Sequence, residues 1–270
     1  MKLFNTIKNN KTFTRFAAGL LVSLNIATLP ALAHETFLLP DQSVWQVDSD
    51  VKIKMASGLS FPDLTWGVSQ DRISTVIVQL NGKTLPSPSF TDGKAFLTIG
   101  FTAKQAGVGV IAVSSKKRSG DIKHENTEGY LDEIGAPESV RQAFKALPGK
   151  PVLHRSYVKH TKSFICIEDC KDSQHVNAKA VGQKLEFIAA RDDANHFQLL
   201  LDGKPLPNHE VKVRDAAKVL YKFNTDANGL LSIDEKISGT IMLAAVAITL
   251  PEKTDGLYHS DYATLVLTKE

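Results

Sequence analysis

From residue 44 onward, apolar and polar positions alternate in short runs that Gly, Asn, Asp and Pro interrupt. Val51/Ile53/Met55, Leu97/Ile99/Phe101, Leu185/Phe187/Ala189 and Leu265/Leu267 each space apolar side chains two residues apart, the period of a strand with one buried face. Many short strands of this kind predict a mainly β protein of sandwich type. One stretch departs from the pattern. Tyr130, Leu131 and Ile134 are spaced as a short helix, and Pro137 followed by Val140, Phe144 and Leu147 as a second, which Pro148-Gly149 stops.

The strand pattern repeats in order. Leu80-Asn-Gly-Lys-Thr-Leu-Pro86 returns as Leu201-Asp-Gly-Lys-Pro-Leu-Pro207, each with a hairpin-turn dipeptide between strand residues. Thr91-Asp-Gly matches Thr225-Asp-Ala-Asn-Gly, the Gly-led run at 107–113 matches 239–246, and His154-Arg-Ser-Tyr157 matches His259-Ser-Asp-Tyr262. The offsets are 121, 134, 132 and 105 residues, so the first copy is longer by 132 − 105 = 27 residues before its last strand. This predicts two tandem immunoglobulin-like β-sandwich domains, 34–172 and 173–270, the first with a helical insertion at about 119–150.

The first 33 residues have another character. Residues 1–15 are polar and basic, 16–29 are largely apolar, and Ala31-Leu32-Ala33 has the small-x-small form of a signal-peptidase site. Residues 1–33 are therefore expected to be a secretory signal peptide, and the mature chain to work in an oxidising compartment, the periplasm. The apolar run is short for a membrane span and is broken by Ser23 and Asn25, and no later segment is long and apolar enough, so the mature form is expected not to span a membrane. Cleavage after Ala33 makes His34 the first residue, with a free α-amine and an imidazole on one residue. Paired nitrogens of that kind suit copper or nickel. The plainer reading is that some residue must follow the cut.

Charge and composition narrow the classes further. The formal charge of +3 comes from the leader, because Lys2, Lys8, Lys11 and Arg15 leave 32 − 4 = 28 bases against 29 acids in the rest. No basic arm remains to suggest nucleic acid. Cys166 and Cys170, flanked by His160 and His175, form a disulfide, a soft-metal ligand set or reactive thiols; export favours the disulfide, expected to staple the seam between the domains. No nucleophile elbow, His-Glu-x-x-His or phosphate loop is present. Asp226-Ala-Asn-Gly229 reads as a turn rather than a calcium loop.

The cleavage site followed by His34-Glu-Thr-Phe-Leu-Leu-Pro40, the strand Arg155-Ser-Tyr-Val-Lys-His-Thr-Lys-Ser163 and the closing Asp261-Tyr-Ala-Thr-Leu265 resemble the periplasmic nickel/cobalt-uptake accessory proteins, a secreted family catalogued as a domain of unknown function. That resemblance implies tandem β domains, a signal peptide and a transition-metal role beside a membrane uptake system. His34 matches its metal position. Many relatives carry a His on the penultimate strand where this chain has Ala247, so His124 and His259 are further candidate ligands, each with the plainer role of bonding a neighbour. The expected function is a non-enzymatic metal-binding protein for nickel, cobalt or copper. Two other classes stay open: a copper-dependent oxidative enzyme with an N-terminal His, and an adhesive or structural β-sandwich module.

Overall fold

The computed structural model describes residues 34–168, 170, 179–190, 195–253 and 256–269. The expected leader, the expected boundary at 172/173 and His175 lie outside them. The first unit contains β1 (Glu35–Pro40), β2 (Val44–Trp45), β3 (Asp50–Gly58), β4 (Trp66–Gly67), β5 (Ile73–Leu80) and β6 (Lys83–Thr84). It continues with β7 (Ser89–Thr91), β8 (Leu97–Thr102), β9 (Gly107–Ser115), β10 (Arg118–Ile122), α1 (His124–Glu133), α2 (Glu138–Lys145) and β11 (Leu153–Ile167). The second unit contains β12 (Leu185–Ala189), β13 (His196–Leu201), β14 (Lys204–Pro205), β15 (Glu210–Asp215), β16 (Leu220–Asn224), β17 (Leu230–Ser232), β18 (Gly239–Thr249) and β19 (Tyr258–Lys269).

In the first unit the order β1-β3-β8-β7 faces β11-β9-β5-β6, with β2 parallel to the end of β11. This is the two-sheet strand order of an immunoglobulin-like sandwich. In the second, β12, β13 and β17 face β16-β15-β18-β19. The alternation sets both cores: Val51, Ile53, Met55, Leu97 and Ile99 meet Ile111, Val113 and Ile165 in one, and Leu185, Phe187, Phe197 and Leu199 meet Val213, Leu243 and Leu265 in the other.

The units are not separate beads. β11 and β19 pair in parallel from Arg155↔Tyr258 to Ser163↔Val266, so one ten-stranded sheet runs through both sandwiches. Phe37, Ala56 and Phe61 of the first unit pack on Met242 and Val266 of the second. The helices close a further core in which Tyr130, Leu131, Val140 and Phe144 cover Leu153, Ile248 and Tyr258. The insertion is not wholly helical, because its first residues form β10, which pairs antiparallel with β11 from Arg118↔Tyr157 to Ile122↔Leu153.

Two expectations need correction. Asn81-Gly82 and Asp202-Gly203 do form tight turns with positive φ at all four residues, but the first follows β5 of the shared sheet and the second follows β13 of the separate sheet. Those turns are similar local solutions and not equivalent parts of a duplication, whereas the other three matches fall on corresponding strands. The disulfide joins Cys166 to Cys170, but it closes the turn leaving β11 beside Gly107. The seam is held elsewhere, by the β11–β19 ladder and by Lys162 with Glu186, both buried.

Candidate functional site

β11, β18 and β19 carry small residues where the N-terminal strand crosses them. Ala244 and Ala245 sit opposite Thr264 and Ala263 in the β18–β19 ladder, and Lys159 and His160 sit beside Tyr262 and Ala263 in the β11–β19 ladder. The space left above those alanines is a cavity of about 50 Å³ open to a water molecule's centre, lined also by His34, Glu35, Thr36, Glu133, Glu210 and Lys212. That is room for a few water-sized groups. β1, β11, β15, β18, β19 and the end of α1 all contribute, so the cavity exists only because the units are joined.

Its charged groups are unevenly matched. Lys159 Nζ donates to the His34 carbonyl at 2.5 Å and to Thr36 Oγ1 at 2.9 Å, and Lys212 Nζ donates to the Glu133 carbonyl. Glu35 Oε2 and Glu210 Oε1 are buried and accept no hydrogen bond. Glu35 Oε2 lies 3.7 Å from Arg214 Nε, and Glu210 Oε2 lies 3.2 Å from Lys222 Nζ. Gly135 makes room for Glu210: its φ is +61°, and a Cβ there would stand 3.0 Å from Glu210 Oε1.

Burial dominates the protonation equilibria. It raises the Glu35 carboxyl above its ordinary value against the pull of Arg214 and Lys212, and it lowers Lys212. Burial, and then the Arg155 charge, bring Lys159 down from 10.5 to about 8. Below the folded value the buried ammonium carries its full penalty. Between about 8 and 10.5 the unfolded chain binds the extra proton, so stability rises with pH. A shift of this size amounts to about 3 kcal/mol. The stability difference between wild type and Lys159→Met, measured by urea unfolding, is expected to move by about that amount in favour of wild type from pH 7 to 10.5. A difference independent of pH would show that this ammonium is solvated.

His34 lies at the cavity rim just ahead of β1, exposed, with its ring edge-on to Trp66 at a centroid distance of 4.7 Å. Partial burial, and then the Lys159 charge, lower its imidazole pKa, favouring the neutral ring that metals bind. The other expected histidines lie outside this lining. His124 opens α1 and stacks on Phe144 at 6.3 Å. His259 Nδ1 bonds Ser156 Oγ at 2.8 Å, and its Nε2 lies 3.4 Å from Asp261 Oδ1.

His160 completes a buried relay with that carboxylate, its Nε2 3.2 Å from Asp261 Oδ1 and its Nδ1 2.9 Å from Ser114 Oγ. Burial raises the Asp261 pKa, but the His160 hydrogen bond and the neighbouring charges outweigh it and leave the pKa below its ordinary value. Ala247 faces Asp261 across the β18–β19 ladder. Among the described residues no three His, Cys, Asp or Glu side chains are grouped to hold a metal ion. Both thiols are spent in the disulfide.

Glu35, Lys159, Glu210 and Lys212 were not singled out as site residues from the sequence. One signal was present. Lys159 and Lys162 stand in the long run 153–167, where both faces of a strand prove covered and a lysine needs a partner.

Fold and site together define a tandem immunoglobulin-like protein with a small, mixed-charge cavity at the joint between its sandwiches. The chain belongs to the family described as Domain of unknown function (DUF4198), which matches residues 31–249. No curated protein matches it. Among solved structures it is similar to the D0-D1 domain of Intimin, at 11% identity over 86% of this chain and 97% of that one, with a TM-score of 0.20. It is also similar to the mouse nectin-like molecule 4 ectodomain (Ig1-Ig3), at 11% identity over 87% and 63%, with a TM-score of 0.17.

Proposed function

We propose that this protein captures a divalent transition-metal ion in the periplasm, at the rim of the seam cavity, as an accessory to a membrane uptake system. Nickel or cobalt follows from the family resemblance and copper from the donor chemistry. The supporting observation is the placement of His34: exposed at the cavity, its ring seated on Trp66 and its carbonyl held by Lys159. Signal cleavage after Ala33 would add the α-amine to the ring, giving two nitrogens from one residue.

Mass spectrometry of protein isolated from its native compartment is expected to find His34 first. Isothermal titration of that mature form with nickel(II), cobalt(II) and copper(II) is expected to show one site, strongly weakened in His34→Ala. Equal binding by wild type and His34→Ala would remove His34 from the site, and a different first residue would remove the chelate.

A further inference from the structure

We propose that the sheet face shared by β10 and β11 binds a phosphate group, held by Arg155 and Arg118. The site needs none of the nitrogen donors of His34, so it stands or falls independently of the metal reading.

Arg155 is the group that leads there. Its guanidinium carbon lies 4.9 Å from the Tyr130 ring centroid and 4.6 Å from that of Tyr157, so two tyrosine rings hold the planar fork in place. Other inward basic side chains have carboxylates: Arg141 pairs with Asp132, Arg214 with Glu35 and Lys162 with Glu186. Among the described residues Arg155 has no such partner. Its Nε is buried without an acceptor, while its two Nη nitrogens are not buried and donate no hydrogen bond. A partly desolvated guanidinium without an anion is costly, and the ring faces offset only part of that cost.

The ladder sets further donors beside it. Arg118 stands opposite Tyr157, and Gly120 opposite Arg155, so all four positions share one sheet face. Arg118 is exposed, and neither its guanidinium nor Tyr157 Oη has a hydrogen bond or ion pair among the described residues. A Cβ added at Gly120 would meet nothing within 4 Å, which leaves the approach to Arg155 open. Burial and then the Arg155 charge lower Lys159, with Arg118 adding to them against Glu35. The potential over this face is therefore positive.

Those donors select the guest. Two forks that stay charged at any working pH suit a compact dianion with several acceptor oxygens, and a phosphate ester carries about −1.5 to −2 at neutral pH. A soluble ester and a lipid headgroup present the same group.

The test titrates the mature protein with glycerol 3-phosphate and with acetate by calorimetry, and sediments it with phosphatidylcholine vesicles that contain or lack phosphatidic acid. Phosphate binding is expected to weaken about 10-fold in Arg118→Gln and in Arg155→Lys, the least that a lost hydrogen bond to a charged group costs. Lys83→Gln, which removes a charge from exposed β6 at the far edge of the sheet, should change nothing. Arg118→Gln breaks no side-chain contact of the fold, so it decides the matter even if Arg155→Lys loosens α1.

Binding of glycerol 3-phosphate assigns the site to soluble phosphate esters, and binding to phosphatidic acid vesicles alone assigns it to a lipid headgroup; both uphold it when the arginine variants weaken binding. No binding in either arm overturns the proposal. So does wild-type affinity in a folded arginine variant, or equal weakening by Lys83→Gln, the mark of general charge attraction. Acetate bound as tightly as the ester overturns the phosphate assignment in favour of a carboxylate.

Discussion

Lys162→Ala will lower the unfolding free energy by about 3–5 kcal/mol, the cost of leaving one member of a buried ion pair alone. Lys162 on β11 and Glu186 on β12 have side-chain exposures of 2% and 1%. Lys162 Nζ also donates to the Phe187 carbonyl at 2.9 Å, while the Glu186 carboxylate accepts the amides of Val181 at 2.7 Å and Gly182 at 3.2 Å. One ammonium therefore fastens the last strand of the first sandwich to the first strand of the second. Its loss strands a buried carboxylate for which no second ion pair exists among the described residues.

The double variant Lys162→Met with Glu186→Leu removes both charges. It leaves the Phe187 carbonyl without that donor and the Val181 and Gly182 amides without an acceptor, but no unpaired charge, so it should cost less than Lys162→Ala. Urea unfolding of the two singles and the double gives the coupling directly. A loss under about 1 kcal/mol for Lys162→Ala would place the pair among solvated surface bridges and deny it a part in the joint.

Acetylation of the His34 α-amine will weaken nickel(II) or copper(II) binding by about 100-fold, while the fold is unchanged. The ring stays where it is, but the acylated nitrogen offers no lone pair to a metal and no longer closes a chelate with it. Two donors fixed on one residue act at high effective concentration, a gain of about 10²–10⁴ over separate ligands. His34 is exposed and its ring meets the rim residue Trp66 edge-on, itself 46% exposed, so little core is disturbed. Circular dichroism and the metal-free melting temperature should match the unmodified form. If the acetylated protein binds as tightly as the unmodified one, the amine is not a ligand and the site lies elsewhere.

The elements themselves were written in local pattern. Val51, Ile53 and Met55 had to share a buried face of a strand because side chains alternate there. Asn81-Gly82 and Asp202-Gly203 had to turn because those residues accept positive φ. Pro137 stands at the N-cap of α2, and Val140 and Phe144, four residues apart, lie on its buried face. Cys166 and Cys170, close in the chain, left three chemical fates open, and the folded geometry selected the disulfide.

Periodicity did not hold the joint. Lys159 reads as a solvated strand residue until neighbouring elements cover β11, and a strand's pattern of polar and apolar residues does not name its neighbour. The pairing of Arg155 with Tyr258, some hundred residues apart, is decided by which long strands can complete each other's ladders. Once that pairing forms, Ala244, Ala245 and Ala263 come under the N-terminal strand and leave a space, and Glu35 and Glu210 arrive beside it from different elements. Local chemistry determined the strands, turns and helices; only tertiary pairing brought together the cavity beside His34, because burial of those charges is a property of distant segments meeting.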